Sequence, residues 1–145
     1  MFTSDGAVPA AGTAPSGTVF YELWATGAAP APIGADAVDA VSPAPGALSA
    51  PPVPGGTLIR INDLPPGAAS PMHRTQTVDY VIVLDGEVVL VLDEGETVLR
   101  AGDVAVQRGT SHRWENRSGA TARVAFVFVD GAFTPGPRGA LGEDR

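Results

Sequence analysis

The chain has 145 residues, enough for one domain with its own core and too few for two ordinary ones. Its formal charge is −7 with no basic cluster, which argues against duplex nucleic acid and anionic membrane surfaces as partners. It contains no cysteine and no lysine, so disulfides, thiolate zinc sites, cysteine nucleophiles, Schiff-base chemistry and a phosphate-loop lysine are excluded.

Glycine (18) and proline (14) together exceed a fifth of the chain, a composition that a turn-rich β fold accepts and long helices do not. Residues 1–17 lack the basic start and apolar stretch of a secretory signal. No apolar run reaches the roughly 18 residues that span a bilayer, so a soluble cytoplasmic protein is the expectation. Residues 1–55 read as an extended N-terminal arm with one β-like run at 18–25 (TVFYELWA) and Pro-rich stretches at 28–34 and 42–56. Phe20, Tyr21, Leu23 and Trp24 in one short run point to packing rather than solvation. From residue 56 the pattern is β throughout, with apolar runs at 57–61, 80–84, 87–92, 97–99, 104–106, 114–116 and 123–129. Asp85-Gly86 is a hairpin signal, because both residue types accept positive φ. Helical periodicity and internal repeats are both missing, so the prediction is an all-β sandwich or small barrel over residues 56–133, with a C-terminal tail at 134–145. Runs 80–84 and 124–129 are apolar on both faces, so either the N-terminal aromatic run or a second copy of the chain must cover the outside.

The two histidines, His73 and His112, sit in patterned segments. Residues 67–86 read GAASPMHRTQTVDYVIVLDG and residues 102–116 read GDVAVQRGTSHRWEN. These resemble the two motifs of the cupin family. The first motif has G, five residues, H-x-H, three or four residues, E, six residues, G; Gly67, His73 and Gly86 match it, with Thr75 at the second histidine and Asp79 at the glutamate. The second ends P-x-G, two residues, H, three residues, N; Gly109, His112 and Asn116 match it, with Gln107 at the proline. The resemblance covers about residues 56–130. It implies a single antiparallel β-jelly-roll barrel and a metal site that retains two of the family's three histidines. The string H-R-T-x-T-x-D-Y, together with E-L-W-x-T at residues 22–26, resembles a group of small bacterial and fungal cupins associated with biosynthetic gene neighbourhoods.

The residues themselves support a parallel reading. Alternate side chains of a strand share a face, so His73, Thr75 and Asp79 point one way, and His112, Trp114 and Asn116 do likewise. Two such strands facing one cavity bring two imidazoles and a carboxylate together. That donor set, with open positions, suits one divalent ion: Fe(II), Zn, Mn or Ni. His73, Asp79 and His112 are therefore the expected ligands, with Thr75 nearby as a weak donor. The bland alternative is two buried, hydrogen-bonded histidines. Asp79, Thr75 and Arg60 are the candidate catalytic groups; Arg60 is either a structural arginine or a bidentate clamp for a carboxylate. Trp114, Tyr80, Trp24 and Gln76 are candidate pocket residues, with core packing the competing role for Tyr80 and Trp24.

Two functions follow. One is a metalloenzyme that dehydrates, isomerises, cyclises or decarboxylates an oxygenated, largely apolar small molecule, or performs oxygen chemistry if the metal is Fe(II). The other is a non-catalytic barrel that holds a small ligand. A homodimer joined through the doubly apolar strands, with the N-terminal arm reaching across, is also expected.

Overall fold

A computed structural model describes residues 10–34 and 52–135 of the chain. Every regular element among these residues is a strand: β1 (Ala10–Thr13), β2 (Val19–Thr26), β3 (Thr57–Leu64), β4 (Thr77–Asp85), β5 (Glu87–Leu92), β6 (Gly95–Arg100), β7 (Val104–Arg108), β8 (His112–Glu115) and β9 (Ala122–Asp130). All pairings are antiparallel. One sheet has six strands in the order β1-β2-β3-β9-β4-β7, and the other has three in the order β6-β5-β8. This is the jelly-roll arrangement that the family resemblance implies, and it satisfies the sandwich or small barrel expected from strand spacing. The tail at 136–145 and most of the Pro-rich stretch at 42–56 lie outside the described residues.

The alternation within β4 fixes the core. Thr77, Asp79, Val81 and Val83 face inward and are buried, while Tyr80 and Leu84 on the opposite face are exposed. Val81, Val83, Val88, Leu90, Val124 and Phe126 pack between the two sheets. Burying each such side chain contributes about 1.5–3 kcal/mol relative to leaving it in water.

Two expectations need correction, and one strand is additional to those expected. The run at 18–25 is β2, and it lies in the sheet as a hydrogen-bonded neighbour of β3 rather than across the barrel's outer face. A β-bulge between Glu22 and Trp24 splits its side chains: Phe20 lines the interior, whereas Trp24 pairs with Ile59 and faces out, 49% exposed. Asp85-Gly86 is not a hairpin. β4 and β5 belong to different sheets, and Gly86, at φ +74°, is the corner between them. A Cβ there would stand 3.0 Å from Ala122 Cα and 3.1 Å from the Thr121 carbonyl oxygen. Finally, β1 carries no strand signal in its sequence, Ala-Ala-Gly-Thr, and exists because β2 offers it a backbone edge.

Candidate functional site

The chain between β3 and β4 runs beside β8. Gly67 and Ser70 donate their backbone N–H groups to the carbonyls of Asn116 and Trp114, at 2.8 and 2.9 Å. His73 and His112 then exchange two backbone hydrogen bonds, both 2.9 Å. An antiparallel pair bonded in this way sets its two side chains opposite each other on one face. The imidazole centroids are accordingly 4.5 Å apart, with the rings tilted by 50°.

Each ring is held by a carbonyl two residues upstream. His73 Nδ1 lies 2.8 Å from Pro71 O, and His112 Nδ1 lies 2.7 Å from Thr110 O. A carbonyl only accepts, so both Nδ1 atoms carry a proton, and in the neutral form of either ring the lone pair is on Nε2. Burial holds His112 below its ordinary pKa and the neighbouring His73 adds to this, against the pull of the Thr110 carbonyl; the neutral ring is favoured. The Thr110 hydroxyl donates to Gln107 Oε1, and Arg74 Nε donates to Gly109 O at 2.8 Å, so two side chains brace the turn that carries His112.

The histidines open on a cavity of about 650 Å³, within the range of small-molecule sites. Trp114, Phe126, Phe128, Phe20 and Leu64 supply its apolar wall, and Asp79, Thr75, Arg60 and Asn62 its polar pole. Residues 11–16 and Thr18, in and around the β1–β2 hairpin, form one side. The Trp114 and Phe126 rings meet edge to face at 5.5 Å, and Phe126 and Phe128 stack at 5.9 Å. The Arg60 guanidinium lies 4.8 Å from the Phe128 centroid and 5.4 Å from that of Phe20. Burial lowers the Arg60 pKa, and the carboxyls of Glu22 and Asp79 oppose that shift. Asp79 Oδ1 accepts the Thr77 hydroxyl at 2.5 Å. Burial pushes the Asp79 carboxyl up, offset by this hydrogen bond, by His73 and by Arg60.

The cupin domain family model matches residues 60–128, the segment that carries both histidines and Asp79. The chain belongs to the cupin superfamily. A phomopsin biosynthesis cluster protein of Diaporthe leptostromiformis is 56% identical over 88 residues, 57% of this chain and 47% of that protein. A cupin-domain-containing oxidoreductase of Neurospora crassa is 44% identical over 79 residues, 52% of this chain and 40% of its own. This cupin thus spans about half the length of the curated relatives it matches. The solved structure of an RmlC-like cupin from Shewanella frigidimarina shares the fold, with a TM-score of 0.57 at 14% identity over 88% of this chain and 89% of that one.

His73, Thr75, Asp79, Arg60, His112 and Trp114 all line the cavity of this cupin, and strand parity predicts this for all of them but Arg60. The three-ligand set is less complete. Among the described residues, no group of three His, Cys, Asp or Glu side chains is close enough to hold an ion. The imidazole pair fits a metal, with both Nε2 lone pairs available and both Nδ1 atoms anchored. Asp79 shares the cavity but is engaged by Thr77. Tyr80, Trp24 and Gln76 are not pocket residues. Tyr80 is outward by simple alternation from Asp79, the bulge turns Trp24 outward, and the exposed Gln76 donates to the Gly131 carbonyl. Asn116 is buried as a structural clasp, its amide donating to the carbonyls of Leu64 and Ala120 at 2.8 Å.

Sequence reasoning missed Phe20, Asn62, the hairpin wall and Glu22. Glu22 is 0% exposed, is the cross-strand partner of Arg60, and has neither carboxyl oxygen in a hydrogen bond. Its signal was present: a lone charge in an apolar run, two residues from Phe20 and therefore on the same face.

Proposed function

We propose that this cupin acts on a small, oxygenated, largely apolar metabolite in a biosynthetic pathway, with one divalent metal ion on His73 and His112. The carrying observation is the imidazole pair, whose rings stand 4.5 Å apart on a partly aromatic cavity with both Nδ1 atoms tied to carbonyls. Holding the distal nitrogen in this way fixes the tautomer and aims the ring, as around many metal sites. The names of relatives as biosynthesis cluster proteins support the pathway context.

A bound ion would polarise a carbonyl or hydroxyl oxygen of the ligand. The residues do the rest. The aromatic walls exclude water and orient the ligand's apolar body. Asp79, on the polar pole, accepts a proton from the activated carbon or hydroxyl, with Thr75 and Thr77 beside it. Proton removal next to a polarised oxygen leads to dehydration, isomerisation or cyclisation; in a decarboxylation the electron pair left by departing CO2 would pass to the polarised carbonyl, and protonated Asp79 would return a proton to the carbon. Oxygen chemistry on Fe(II) is the second enzymatic reading, supported by the oxidoreductase names among the relatives. A ligand-holding barrel without catalysis is the remaining alternative, favoured by the incomplete ligand set.

Elemental analysis of the purified protein, followed by turnover assays with and without chelator, separates these. A metal near one equivalent and chelator-sensitive turnover of a small oxygenated substrate are expected. A metal-free protein that binds ligands unchanged in chelator would replace the enzyme reading with the binding one.

A homodimer through the outer face of the six-stranded sheet belongs to the same proposal. Trp24, Tyr80, Val104 and Val106 are exposed across β2, β4 and β7, and Ile59, Ile82 and Val127 lie between them. An apolar face of this breadth, built from neighbouring strands, suits a second copy of itself.

A further inference from the structure

The hydroxyls of Thr75 and Thr77 and the carboxyl of Asp79 form one hydrogen-bonded chain beside the cavity. The three residues are spaced two apart along one extended segment, so their side chains share a face. Thr77 and Asp79 are buried, whereas Thr75 is half-buried; Thr75 and Asp79 both line the cavity. The two threonine hydroxyl oxygens are 2.8 Å apart, and Thr77 Oγ1 lies 2.5 Å from Asp79 Oδ1. We propose that this chain has one direction, which makes Thr75 a hydrogen-bond acceptor for the ligand, so that the cavity selects a hydroxyl compound over the corresponding ketone. This rests on the cavity being the functional site.

The direction follows from the number of protons in the chain. A carboxylate only accepts, and each threonine hydroxyl has a single proton to give. Thr77 has two acceptors within reach, and the charged carboxylate holds its proton more strongly than a neutral hydroxyl does. Thr77 therefore donates to Asp79. The contact between the threonines is then made by Thr75 donating to Thr77. Among the described residues this is the one side-chain hydrogen bond of Thr75. Its proton is committed, and its oxygen keeps lone pairs that only a donor can use. Asp79, the other cavity residue of the chain, also only accepts. A ligand O–H brought to this corner meets acceptors. A carbonyl oxygen there sets lone pair against lone pair and leaves the Thr75 oxygen desolvated without a partner. A site that pairs with a ligand O–H rejects an analogue of equal shape that lacks it. Thr75 is thus the contact, and Thr77 is a positioning residue that aims the Thr75 proton away from the ligand.

The test is calorimetric binding of 1-tetralol and 1-tetralone to the full chain, after EDTA treatment so that no metal holds either oxygen. Measurements are made at pH 8, well above the ordinary carboxyl pKa of 3.8. The probes share a ring system and are both uncharged, and the chain has no lysine side chain to trap the ketone. The wild-type protein should prefer the alcohol by about tenfold, the equivalent of one net hydrogen bond. Thr75→Val should abolish the preference by weakening alcohol binding, and Thr75→Ser, which restores the hydroxyl, should recover it. Thr77→Val removes the oxygen that holds the Thr75 proton. That proton can then meet a carbonyl, so ketone affinity should rise by about threefold or more. Arg60 and Asn62 line the same cavity and remain in every variant, so changes between variants report on the threonines. Equal binding of the two probes to wild type, or a preference for the ketone, overturns the selection while leaving the cavity as a ligand site. A preference that survives Thr75→Val overturns Thr75 as the contact. An unchanged or weaker ketone affinity in Thr77→Val overturns the direction of the chain. Failure of both probes to bind overturns the inference together with the cavity reading beneath it.

Discussion

His112 gains its place from backbone pairing and its tautomer from one carbonyl, so its removal should have a local effect. His112→Ala is expected to abolish metal binding in elemental analysis and to leave the far-ultraviolet circular dichroism spectrum intact. Unchanged stoichiometry would show that the imidazole pair is not the metal site. Glu22 makes a second residue-scale prediction. Burial raises its pKa above the ordinary 4.5, with Arg60 opposing the shift. A carboxyl raised in the folded state binds more protons there than in the unfolded chain, so its contribution to stability is greatest at low pH. That contribution is lost as pH rises through the folded pKa. Glu22→Gln should therefore flatten the decline of stability above pH 4.5 and raise the melting temperature at pH 7. A variant with the same pH–stability profile as wild type would show that Glu22 is not a strained carboxyl. For the cavity-facing residues, parity along a strand was enough to find His73, Thr75, Asp79 and Trp114 in the sequence. It gives a face and not a distance, which is why Asp79 could be placed in the cavity from sequence while its engagement by Thr77 could not.

At the level of elements, Gly86 shows what local turn chemistry can and cannot reveal. The sequence Asp-Gly correctly marks a residue with positive φ. It does not say which sheet the next strand joins, and β5 leaves the sheet of β4 at that residue. The same limit explains β1, whose pairing with the adjacent β2 no local pattern announces, and Trp24, which a one-residue bulge moves to the opposite face. Gly86→Ala should cost about 2 kcal/mol, the sum of a left-handed backbone penalty and a 3.0 Å contact with Ala122 Cα. Urea denaturation at constant m-value measures it. A loss under about 0.5 kcal/mol would mean that the corner relaxes freely.

For the whole molecule, the proposed dimer rests on the outer face of the six-stranded sheet. Doubly apolar strands were visible in the sequence, and the open question was what covers them. β2 joins the sheet edge, so within the described residues Tyr80 remains 45% exposed, Val106 55% and Val104 61%. Light scattering at micromolar concentration should give twice the 14.7 kDa chain mass. Tyr80→Glu with Val106→Glu should return the protein to a single chain mass without unfolding it. A wild-type mass near that of one chain on concentration would end the dimer reading.

The β1–β2 hairpin lies outside the segment that the cupin domain model matches. That segment begins at Arg60 and contains His73, Asp79 and His112, the groups proposed to carry the chemistry. Residues 11–16, Thr18 and Phe20, which complete the cavity, precede it. A change in this short, small-residue segment is expected to alter what the cavity accommodates without touching His73, Asp79 or His112. Grafting the corresponding segment from a relative should shift ligand preference while metal stoichiometry stays constant.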